Sequence, residues 1–131
     1  MNEMSVFSDR LYTITDEDIE DIMSSAFTGI NYWCSKIRIA EDQAKGENLA
    51  EHVANGGTVI LWSVDDDDDT TWHLDKEKLK SGIDRFLENT NGVGLLGDYV
   101  DDQGAIDVGR IDAEAADAIV QYALFSDIVF A

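Results

Sequence analysis

The stretch "TVILWSVDDDDDTTWHL", residues 58–74, decides the fold. Its first part, 58–64, is almost continuously apolar and β-branched, as a central strand requires. "TTWHL", 70–74, is also β-type, and only the aspartates at 65–69 lie between the two. Two such segments joined by a short polar loop predict a hairpin with the acidic run at its tip.

Helical patterns begin on either side. After the hairpin, "DKEKLKSGIDRFLENTNG" (75–92) offers Asp75 as a cap and Leu79, Ile83, Phe86 and Leu87 at helical spacing, then an Asn/Gly stop. Before it, "TDEDIEDIMSSAFTG" (15–29) reads as a helix with Thr15 as cap and Asp18 completing a near capping box. Asp16, Glu17 and Asp18 suit the positive end of its dipole. Ile19, Ile22, Met23, Ala26 and Phe27 form its apolar face, and Gly29 fits a left-handed stop. A third helix is expected over 112–127, capped by Asp112, with Ala116, Ile119, Val120, Ala123 and Leu124 inward. Strands are expected over 5–14 and much of 30–40, and a short helix over 47–55. Short strands are also expected within 95–100 and 105–109. The apolar end, "IVFA", reads as docked on the core. The chain thus reads as one α+β domain over 1–131, an antiparallel or mixed sheet packed by two to three amphipathic helices.

Composition narrows the functions. Nine Lys and Arg against 28 Asp and Glu give a formal net charge of −19 in 131 residues. That field repels nucleic acid and anionic lipid, so neither direct nucleic-acid binding nor a membrane partner is expected. No apolar run reaches the roughly 20 residues of a membrane span. The N-terminus lacks a secretory pattern. The single cysteine, Cys34, fits a buried small hydrophobe in a reducing cytoplasm. No phosphate-binding glycine loop and no H-E-x-x-H occurs, and His52 and His73 adjoin no nucleophile signature. An EF-hand register from Asp66 puts Thr71 where Gly is required, and one from Asp65 ends on Lys76 instead of Glu. No cofactor, dedicated metal site or enzymatic activity is expected.

The acid excess remains to be explained. A net charge of about 2–8 is enough for solubility, and self-repulsion destabilises the compact state. A salt-rich cytoplasm fits poorly, because lysine exceeds arginine and the Ile, Phe and Trp content is ordinary. The better fit is imitation of a polynucleotide, which carries one negative charge per about 1.7 Å of duplex axis. On that reading Asp65, Asp66, Asp67, Asp68 and Asp69 form the principal acidic patch. Trp72 is an aromatic anchor beside it, with Tyr99 as a further candidate. Asp16, Glu17, Asp18, Glu20 and Asp21 form a second patch.

"ITDEDIEDIM", "INYWC", "GGTVILW" and "ADAIVQYALFSDIVF" together resemble, in this order and over most of the chain, a family of small acidic bacteriophage and prophage proteins. The resemblance brings no catalytic residues, and the tip at 65–69 is longer than it leads one to expect. What it implies is context: a phage-type inhibitor in the bacterial host's cytoplasm, blocking a basic nucleic-acid-binding host protein such as a CRISPR effector or a restriction enzyme. The alternative is a regulatory protein that binds a small ligand or a divalent metal.

Overall fold

The computed structural model describes residues 2–7, 10–65, 70–91, 99–100 and 104–130. Along the chain the elements are β1 (Asn2–Phe7), β2 (Arg10–Thr15), α1 (Asp16–Gly29), β3 (Cys34–Ile39), α2 (Leu49–Ala54), β4 (Val59–Ser63), β5 (Thr71–Leu74), α3 (Lys76–Asn91), a 3-10 turn (Val108–Arg110) and α4 (Ala113–Phe125).

The hairpin forms as the apolar pattern dictates. β4 pairs antiparallel with β5, Val59 opposite Leu74 and Trp62 opposite Thr71. β3 adds antiparallel on the other edge of β4, giving the order β3-β4-β5. Side chains alternate between the two faces of a strand. Val59, Leu61 and Leu74 therefore point together into the core and are fully buried. Their neighbours there include Ile19, Ile22, Met23 and Ala26 of α1, Leu79, Ile83 and Leu87 of α3, and Ala116, Ile119 and Val120 of α4. One contiguous cluster of this kind defines a single α+β domain, with the helices on one face of the sheet.

Helix starts follow local chemistry. The Asp18 amide donates to Thr15 Oγ1 at 3.0 Å and the Thr15 amide to Asp18 Oδ2 at 2.9 Å, a reciprocal capping box. Asp75 accepts from the Lys78 amide at 2.9 Å and Asp112 from the Ala115 amide at 2.8 Å. These carboxylates satisfy amides that a helix start otherwise leaves unpaired.

Several expectations need correction. The single strand over 5–14 is two paired strands, β1 and β2, with Phe7 opposite Arg10; no glycine or proline marks the break, so periodicity runs through it. β3 begins only at Cys34, because the Trp33 and Cys34 amides are held by the Ile30 carbonyl in a turn. Within 105–109 there is no strand. Ala105 and Ile106 make isolated bridges to Thr13 and Val100, and the chain then enters the 3-10 turn. The 95–98 part of that expectation lies outside the described residues. Gly29 is not a left-handed stop: the cap is Ile30, with φ −92. A side chain at Gly29 would instead run into the Ala113 carbonyl at the start of α4. Gly82 of α3 faces α4 in the same way, where an added Cβ would lie 2.8 Å from that of Ala123. Two glycines thus let α1 and α3 approach α4. The left-handed cap is found at Ser126, φ 61, and α4 ends at Phe125, two residues earlier than expected.

From Ser126 the tail turns back onto the core. The Val129 and Phe130 amides donate to Gln121 Oε1 at 2.7 and 2.8 Å. The Phe130 ring stacks on Trp33, with centroids 5.0 Å apart. The C-terminal stretch is held by these amides and the Phe130 ring, while the Ile128 and Val129 side chains stay exposed.

Candidate functional site

The acids of α1 divide by role. Asp18 closes the capping box, and Asp16 pairs with Lys76 Nζ at 3.0 Å, tying α1 to α3. Glu17 and Asp21 are exposed and Glu20 is half-buried. Partial burial, then the carboxylates of Glu51, Asp21 and Glu17, push the Glu20 carboxyl above its ordinary value. Glu51 stands on α2 and also accepts from the Glu47 amide at 2.6 Å. Glu17, Glu20, Asp21 and Glu51 therefore form a like-charged face across α1 and α2. Of the hairpin-tip aspartates, Asp65 is exposed, its amide donating to Ser63 Oγ at 3.1 Å; Asp66, Asp67, Asp68 and Asp69 lie outside the described residues.

Trp72 is half-buried and faces inward. Its ring meets Trp33 and Phe125 edge-on, with centroids at 5.5 and 5.3 Å. Tyr99 is also half-buried, edge-on to Phe86 at 5.1 Å.

Positive charge gathers elsewhere. The cross-strand rows Lys36–Trp62–Thr71 and Arg38–Ile60–His73 share the sheet face turned away from the helices. Lys36 Nζ lies 4.3 Å from the centre of the Trp62 ring. These six positions hold two cations and no acid. This face follows from cross-strand register, which the linear charge count conceals.

The two histidines sit in different settings. His52, placed by sequence in a polar helix, is fully buried. The Lys45 amide donates to its Nδ1 at 2.8 Å, which fixes the proton on Nε2. Nε2–H then faces Glu41 Oε1 at 2.7 Å and the Thr58 carbonyl at 3.2 Å. Glu41 in turn accepts from the Thr58 amide, and that hydrogen bond, ahead of the contribution from His52, holds its carboxyl below the ordinary value. The ring fastens the 41–48 segment to the start of β4. His73 is exposed on the basic sheet face. Cys34 is buried, and burial pushes its thiol up. Among the described residues no group of three or more His, Cys, Asp or Glu is placed to hold a metal ion, and no helix is long and apolar enough to cross a membrane.

Tertiary structure also builds a site that the sequence reading missed. A cavity of about 650 Å³ lies between the end of α1, α4 and the tail, lined by Gly29, Tyr32, Glu114, Asp117, Gln121 and Phe130 among others. Asp117 is only 7% exposed. Its Oδ1 accepts from Trp33 Nε1 at 2.8 Å and Gln121 Nε2 at 3.0 Å, and its Oδ2 from the Tyr32 hydroxyl at 2.6 Å. Burial, then the hydrogen bond to Asp117, push the Tyr32 phenol up to about 12. The local signal was the polar pair Asp117 and Gln121, one turn apart on a helix that is mostly apolar beyond its first turn. The Tyr32 and Trp33 partners of Asp117 lie more than 80 residues away in sequence, beyond the reach of any pattern. No protein-family model matches this chain, and neither curated proteins nor solved structures give a significant match.

Proposed function

We propose that this protein is a non-enzymatic binding protein that presents carboxylates to a cationic, nucleic-acid-handling partner and occupies the groove meant for a polynucleotide. The observation that carries this reading is the face that Glu17, Glu20, Asp21 and Glu51 form across α1 and α2, where partial burial and then the neighbouring carboxylates raise the Glu20 carboxyl. Like charges held together weaken the free protein, and a basic partner turns that repulsion into attraction. Asp65 adds an exposed carboxylate just after β4, and the four aspartates that follow it in sequence add to the negative charge. Trp72 belongs to the aromatic core in this arrangement, so its part is to hold β5 under the tip. The resemblance of "INYWC" and "IVQYALF" to phage proteins supports a host-defence protein as the partner, a CRISPR effector or a restriction enzyme.

The test is binding kinetics against such an effector across a salt series. Neutralising Glu17, Glu20 and Asp21 together, or 65–69 to Asn, is expected to slow association by about tenfold at low ionic strength, with the difference fading at high salt. An association rate indifferent to both salt and these changes overturns the proposal.

A further inference from the structure

We propose that the cavity at Tyr32, Glu114, Asp117 and Phe130 receives the guanidinium group of an arginine side chain projecting from the partner. This rests on the reading above and names the contact that makes an otherwise diffuse attraction specific.

Four observations lead to it. First, the cavity, about 650 Å³, has the size of a ligand pocket rather than a packing defect. Second, its polar lining is chemically one-sided. Asp117 is nearly buried, and its three partners, Tyr32, Trp33 and Gln121, are all neutral. Among the described residues no cation touches it. A buried carboxylate is costly until an opposite charge arrives. Third, Glu114 is exposed and lies one turn before Asp117 on α4, so a second carboxylate stands where the cavity meets solvent. Two carboxylates exclude an anionic ligand. Fourth, the remaining lining is the neutral Gln121 with the largely apolar residues Gly29, Tyr32, Ala118, Ile128 and Phe130. Aromatic and apolar walls suit a flat, weakly hydrated cation with an alkyl stem. They suit a hydrated metal ion poorly, and a lysine ammonium less well than a guanidinium. Tyr32, at 46% exposed, lies within reach of an incoming chain.

The assay follows the indole N–H resonance of Trp33, which reports on Asp117 directly, in the intact protein by NMR. The first probe is acetyl-arginine methylamide, with its citrulline counterpart as the neutral isostere. The arginine compound is expected to give a saturable shift, the citrulline compound less than about a tenth of it at equal concentration. Glu114→Gln leaves the fold intact because the side chain is exposed, and it is expected to weaken the arginine compound at least fivefold. No saturable shift, an equal shift from citrulline, or indifference to Glu114→Gln overturns the inference. The second probe is an arginine-rich peptide at low salt, read by the same resonance. Displacement of the arginine compound by the peptide supports a side chain as the occupant. An arginine compound that binds while the peptide leaves Trp33 unmoved makes the site one for a free small cation, and the inference fails. If Glu114→Gln leaves peptide affinity unchanged while neutralising Glu17, Glu20 and Asp21 abolishes it, the pocket assignment falls and the acidic-surface reading stands. If the peptide binds by no readout, that reading falls with it.

Discussion

Asp117→Ala removes the acceptor of the buried Trp33 indole N–H. Trp33 is 1% exposed, and Asp117 Oδ1 is its acceptor at 2.8 Å. The other two donors fare better. Gln121 Nε2 keeps the Phe130 carbonyl at 3.2 Å, and the half-exposed Tyr32 hydroxyl turns to water or to the same carbonyl at 3.3 Å. The loss is therefore dominated by one orphaned buried donor, about 1–3 kcal/mol. With a urea m-value of about 1.5 kcal/mol/M for a chain of this size, the unfolding midpoint falls by about 0.7–2 M. Asp117→Asn is the informative companion. Its amide oxygen still accepts from Trp33 and Gln121, and its amide nitrogen faces a Tyr32 hydroxyl free to accept. That variant is expected to lose less than about 1 kcal/mol. Urea titrations followed by tryptophan fluorescence separate the two. Asp117→Ala within about 0.3 kcal/mol of wild type refutes the orphaned-donor argument. Asn as damaging as Ala refutes the claim that acceptor geometry, rather than charge, holds the knot.

Gly82→Ala drives a methyl group into α4 and is expected to destabilise by about 1–3 kcal/mol despite alanine's better helix propensity, measured as a fall in thermal midpoint. Tyr32 holds its proton up to about 12 against an ordinary value near 10. The folded state therefore binds that proton more tightly than the unfolded chain, and stability present below pH 10 declines as pH rises towards 12. Tyr32→Phe should lack that decline in alkaline melting curves and remove a late tyrosinate step at 295 nm. Glu41, held below its ordinary 4.5, contributes stability above that pH which is lost as pH falls through its folded value. Melts between pH 5 and 3 are expected to show a shallower fall for Glu41→Gln. Glu20 has the opposite sign, its repulsion growing as pH rises through its raised value. Glu20→Gln should raise the melting temperature slightly at pH 7 and low salt, an effect that added salt removes.

The sequence by itself determined everything that local chemistry controls. Alternation and apolar density made 58–64 the centre of the sheet, and β4 occupies that place. Thr15, Asp75 and Asp112 announced three helices, because a short side chain with an oxygen acceptor before an apolar repeat satisfies free amides whatever the rest of the chain does. The charge excess was equally plain, but the duties of individual acids were not. Asp16, Glu41 and Asp117 were indistinguishable in a count from Glu17 and Asp21. Only tertiary structure gave Asp16 its lysine across 60 residues, Glu41 its imidazole and Asp117 its indole. The same holds for Gly29, whose small size matters to a helix that begins 84 residues later in the chain, and for the Lys36–Trp62–Arg38–His73 face, which exists only once strands pair in register. Caps and periodicities are short-range, set by a few neighbouring residues. A buried carboxylate, a cavity and a charged face depend on which distant segments meet, and packing of the core settles that.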